Sequence, residues 1–89
     1  MLKTKQDFIL RKLGNEHMVV PVGAAATAFH GIIRMNETGA FFWKELSAGT
    51  TEEDLVKAAV AHYDGLDEEV ARKDVRKFLE TVSMALETC

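Results

Sequence analysis

The sequence predicts an α+β fold, with a three-stranded antiparallel sheet followed by three helices in the order βββααα. Two observations carry this. Residues 1–35 hold short, β-branched runs broken by turn residues. From residue 36 onward, Asn36, Thr51 and Asp67 each stand ahead of apolar residues spaced three and four apart, the pattern of a capped amphipathic helix. At 89 residues the chain is expected to form a single domain over residues 1–89, with its core within about 7–86.

The first strand is expected at residues 7–13, DFILRKL. Gly14-Asn15 is a turn pair. Residues 17–22, HMVVPV, make the second strand, and Pro21, which has no N–H for a ladder, belongs at a strand end or bulge. Residues 23–30, GAAATAFH, read as a connection with room for one helical turn, and residues 31–35, GIIRM, as the third strand.

Asn36 caps the first helix, NETGAFFWKELS, with Ala40, Phe41, Trp43 and Leu46 on its apolar face. Inside a helix Gly39 costs about 0.5–1 kcal/mol relative to Ala, so a close neighbour is expected there. Trp43, Phe41 and Phe42 are expected to pack between this helix and the sheet. Ala48-Gly49 ends the helix. Thr51 begins the second, with Leu55, Ala58, Ala59 and His62 at helical spacing and Asp64-Gly65 as the stop. The third is expected over residues 67–87, a rod of about 31 Å tracing Val70, Asp74, Val75, Phe78, Leu79, Val82, Ala85 and Leu86.

Composition narrows the function. Hydrophobic residues make up 47% and charged residues 28%, the balance of a folded soluble protein. The net charge of −3 argues against a phosphate-backbone binder, so no nucleic-acid partner is expected. Charge is uneven: residues 1–45 hold six bases and four acids, residues 46–89 five bases and ten acids. One cysteine, Cys89, excludes an internal disulfide and a Cys-only metal or iron–sulfur site. His17, His30 and His62 fall in separate elements, with no metal-ligand spacing among them and Cys89. No phosphate loop, HExxH or GxSxG is present. The acid pairs Glu52/Glu53 and Glu68/Glu69 occupy first turns of helices, where the dipole favours negative charge. The expectation is therefore a non-enzymatic protein with no cofactor and no metal. The start lacks an apolar signal-peptide region, and no run approaches about 18 apolar residues, so a cytoplasmic location without membrane partners is expected.

A three-stranded meander leaves the first and third strands as edges. The third, Ile32-Ile33-Arg34-Met35, is apolar with a single charge and could accept a strand from another chain; a covering helix or loop would remove that option. On the last helix, Arg72, Lys73, Arg76 and Lys77 form a basic strip that reads either as a solvated face or as an attractor of an acidic segment.

The runs FHGIIRMNETGAFFW, KEL, TTEEDLVKAAVAHYD and DVRKFLETV resemble the PqqD family of small peptide chaperones, also called RiPP recognition elements. The likeness covers about residues 7–86 and is sharpest from Met35-Asn36-Glu37-Thr38-Gly39 to Trp43, supported by the Thr51 helix start and by Asp74-Val75-xx-Phe78-Leu79. The resemblance implies a winged-helix-like fold and a function: binding the leader segment of a ribosomally made precursor peptide. The leader would add as a strand beside the third strand, against the third helix, and be presented in trans to a modifying enzyme, often a radical-SAM protein. Carried over by position, the peptide-binding residues would be Ile32, Ile33, Arg34 and Met35 on the strand and Arg72, Lys73, Val75, Arg76, Lys77 and Leu79 on the helix. Family members often end in a Gly-Leu type tail. Residues 83–89, SMALETC, depart from that, so docking of the C-terminal segment is expected to differ. Two other readings are a winged-helix nucleic-acid binder, disfavoured by charge and by the lack of aromatics interleaved with bases, and a homodimerisation module joined through an edge strand.

Overall fold

The computed structural model describes residues 1–28 and 31–88. The element order is β1 (Leu2–Thr4), β2 (Phe8–Leu13), β3 (Glu16–Pro21), α1 (Ala24–Ala28), β4 (Ile33–Met35), α2 (Glu37–Ala48), α3 (Glu52–His62), α4 (Glu68–Thr81), a 3-10 turn (Ser83–Ala85) and β5 (Leu86–Thr88). The expected α+β arrangement is present as an antiparallel sheet in the order β2-β3-β4, followed by α2, α3 and α4.

β2 and β3 pair from Phe8↔Pro21 to Leu13↔Glu16. Gly14 supplies the positive φ, +63°, that a two-residue hairpin turn requires. Pro21 is the last residue of β3, where its missing N–H removes no internal ladder bond. β4 returns along β3 with Val19↔Ile33, Met18↔Arg34 and His17↔Met35 paired. The connection before it contains α1 and, at its end, Phe29 and His30; the latter two lie outside the described residues, as does Cys89.

The helix starts are those the sequence marks. The Asn36 side chain accepts from Gly39 N–H at 2.8 Å, that of Thr51 from Asp54 N–H at 3.1 Å and that of Asp67 from Glu69 N–H at 3.2 Å. Gly49, at φ +91°, closes α2.

Two core clusters share α2. Toward the other helices, Phe42 and Leu46 pack with Leu55, Val56, Ala59, Ala71 and Val75. Toward the sheet, Trp43 packs with Phe8, Val19, Ile33, Val82 and Ala85. Phe78 lies against both clusters. Within the aromatic trio the expectation needs correcting. Only Trp43 is buried toward the sheet; Phe42 is buried toward the other helices, and Phe41 is half-buried and stacks on His62, the last residue of α3, with ring centroids 4.4 Å apart. On α4 the inward position is Ala71 rather than Val70, which is exposed.

The last helix is shorter than its apolar spacing suggests. It ends at Thr81, and Val82 N–H turns back to the Phe78 and Glu80 carbonyls. The 3-10 turn follows, and residues 86–88 form β5, antiparallel to β1. Capture by the N-terminal segment accounts for the break. Lys5 N–H donates to the Ala85 carbonyl at 2.8 Å, and β1 pairs with β5 from Leu2↔Thr88 to Thr4↔Leu86. Leu2 also exchanges two backbone bonds with Thr50, at 2.6 and 2.9 Å, which fixes the terminal pair beside the C-terminal end of α2. Val82 and Ala85 stay buried in this path, so core packing is kept without a continuous helix. No helix among the described residues is long and apolar enough to cross a membrane.

Candidate functional site

β4 is an outer strand of its sheet. β3 occupies one edge, and no strand among the described residues pairs with the other. The N-terminal turn of α2 and the C-terminal half of α4 flank it. Together they enclose an open cleft of about 450 Å³, lined by Ile33, Arg34 and Met35 of β4, by Asn36, Thr38, Gly39 and Phe42 at the start of α2, and by Asp74, Lys77, Phe78 and Thr81 of α4, with Val82.

Gly39 sets the width of this cleft. A Cβ at that position would lie 2.9 Å from Met35 Cβ, 3.3 Å from Phe78 Cε1 and 3.4 Å from Asn36 Oδ1. A glycine lets α2 start directly on β4 while the Phe78 ring approaches from α4. This is the close neighbour expected from a glycine inside a helix. The floor is aromatic, with Phe42 and Phe78 meeting edge to face, centroids 5.4 Å apart.

The residues singled out from the sequence separate into groups. Ile33, Arg34, Met35 and Lys77 meet in the cleft, and Ile32, exposed, stands just ahead of β4. Arg72 and Arg76 turn the other way, toward α3. Arg72 holds Glu53 through two bonds at 2.7 and 3.0 Å, with Glu68 at 3.5 Å, and Arg76 reaches Glu52 at 3.5 Å. The hydrogen bond and charge of Arg72 hold the Glu53 carboxyl below its ordinary pKa, and those of Glu53 raise the pKa of Arg72. Val75 is buried in the helical core, Leu79 is half-buried against the same cluster, and Lys73 is exposed outside the cleft lining. Sequence reasoning did not single out Thr38, Gly39, Phe42, Asp74, Phe78 and Thr81 as lining residues. A signal existed for the helical ones: Asp74, Lys77, Phe78 and Thr81 follow steps of three and four, one face of α4.

Among the described residues there is no group of three or more side chains placed to hold a metal ion. What the site offers is a strand edge unpaired among the described residues, beside an apolar floor, with charged side chains at its rim. Such a surface suits main-chain pairing with an extended peptide.

The sequence model of the family described as coenzyme PQQ synthesis protein D (PqqD) matches residues 12–85. Two solved structures share the fold. TbiB1 in complex with the TbiA(beta) leader peptide is 20% identical, with a TM-score of 0.75, and the match covers 98% of this chain and 96% of that one. Lasso peptide synthetase B1 complexed with the leader peptide is 10% identical, with a TM-score of 0.73, covering 99% and 98%. No curated protein sequence matches the chain.

Proposed function

Because the chain belongs to the PqqD family, we propose that it binds the leader segment of a ribosomally synthesised precursor peptide and presents it in trans to a separate modifying enzyme, of radical-SAM type in many family pathways. The observation that carries this is the unpaired edge of β4 facing the cleft against α4. The two structural neighbours are described as complexes with leader peptides, which supports the same assignment. The leader adds as a fourth strand along Ile33, Arg34 and Met35, with Ile32 at its entry. Alternate side chains meet the apolar floor or the rim, and Lys77 is the basic α4 contact. Arg72 and Arg76 act indirectly, by fixing α4 on α3, while Val75 and Leu79 hold α4 to the core. The domain itself catalyses nothing in this reading. Its setting is the cytoplasm, where newly translated precursors appear.

An amide NMR titration with a synthetic leader from a candidate precursor tests the proposal. Shifts should concentrate at residues 33–35 and 74–82. A bound peptide whose shifts fall on β2, or on the α3–α4 surface around Arg72, would refute the placement.

A further inference from the structure

The charges around the cleft are ordered. A second hollow of about 300 Å³ adjoins it, shares Phe42 and Asp74 with it, and continues to Tyr63, Asp64 and Leu66. Arg34 and Lys77 line only the first space, Asp64 only the second, and Asp74 stands between them. None of these four makes an ion pair among the described residues, whereas Arg72 and Arg76 are committed to the acids of α3. Four charges of two signs, none in an ion pair among the described residues, thus follow one another along a continuous groove.

We propose that this groove selects peptides carrying both an acidic and a basic residue, about two to four positions apart: the acidic one set against Arg34 and Lys77, the basic one entering the hollow before Asp64 and Asp74. This rests on the leader-binding reading and adds to it the charge pattern of the peptide. The aliphatic stem of a lysine or arginine fits against Phe42, Tyr63 and Leu66 while its head reaches the carboxylates, and the Tyr63 ring adds cation–π attraction. The spacing follows from geometry. Asp74 and Lys77 are three helical residues apart, a rise of about 4.5 Å. An extended peptide running along α4 advances about 3.3 Å per residue, so Asp74 stands about one to two positions from Lys77, and Asp64, beyond Asp74, carries the proposed range further. A uniformly acidic leader would set carboxylate against carboxylate in the hollow. The same order disfavours a second copy on this edge. Antiparallel self-pairing of β4 centred on Arg34 would place the two Arg34 side chains opposite each other.

The test is a selection of random dodecapeptides displayed against the intact chain, followed by affinity measurements on the enriched sequences. Peptides that shift the β4 amides should carry the acid–base pair. Their affinity should fall about fivefold when Asp64→Asn and Asp74→Asn are combined, and the loss should vanish when the peptide's base is replaced by methionine. Arg34→Glu should instead enrich peptides with a base at the former acidic position. All four side chains are exposed, so the variants should retain the wild-type melt. Enriched β4-binding peptides without the pair, or an equal loss for the methionine peptide, would overturn the charge pattern while leaving leader binding standing. A selection yielding no peptide that shifts β4 would overturn both.

Discussion

Gly39→Ala sets two effects of opposite sign against each other. Alanine in place of a helical glycine stabilises by about 0.5–1 kcal/mol through propensity alone. Against that, the added methyl would lie 2.9 Å from Met35 Cβ and 3.3 Å from the Phe78 ring. Met35 Cβ is fixed to a backbone already paired to His17, so it cannot swing aside as the end of a long side chain could. Overpacking of this kind costs about 1–3 kcal/mol. The cap itself is kept, because alanine retains the N–H that donates to Asn36 Oδ1. The net expectation is a loss of about 1–2 kcal/mol. In urea, with a slope near 1 kcal/mol per molar for a domain of this size, the midpoint should drop by about 1–2 M. Met35 and Phe78 both line the cleft, so their NMR signals should move most. A midpoint at or above that of the wild type would show that propensity wins and that β4 and α2 have slack at this junction, refuting the argument that glycine sets the spacing.

Three further outcomes are expected. Leu46→Ala, at a fully buried position shared by α2 and the helical core, should lose about 2–5 kcal/mol in chemical denaturation. Asn36→Ala should cost about 1 kcal/mol of thermal stability, while Asn36→Asp keeps an acceptor for the cap and should melt near the wild type. Glu53 has a folded-state pKa below 4.5, so its contribution is present above that value and is lost as pH falls through the lowered one. The stability gap between wild type and Glu53→Gln should therefore be open at neutral pH, close in acid and shrink with added salt.

Local chemistry made much of the fold legible. The Gly14-Asn15 turn and the three capping side chains act within a few residues of themselves, so they are readable without tertiary knowledge. The terminal pair is not. Leu2–Thr4 is too short to show a period, and its partner lies at the opposite end of the chain. The extension of the last helix to residue 87 fails for the same reason. Val82 and Ala85 remain inward in a 3-10 turn, so spacing alone does not tell helix from the path taken. The direction of the basic strip was partly readable. The first-turn position of Glu52 and Glu53 is a correct but incomplete account of them, since they are also the partners of Arg76 and Arg72. The strand half of the cleft was visible in the pattern, and the helix half needed the rotation of α4 about its axis, which side-chain packing sets.

The pairing of Leu2 with Thr88 carries a consequence for how the molecule is tethered. Both strand ends leave from one place, at the C-terminal end of α2, while the cleft opens at the N-terminal end of the same helix. Those ends are separated by 12 residues, about 18 Å. A linker attached at either terminus therefore swings the domain about nearly the same pivot and leaves the strand edge clear. Fusion at the front, fusion at the back, or insertion into a loop of another protein should all hold the bound peptide at the same reach.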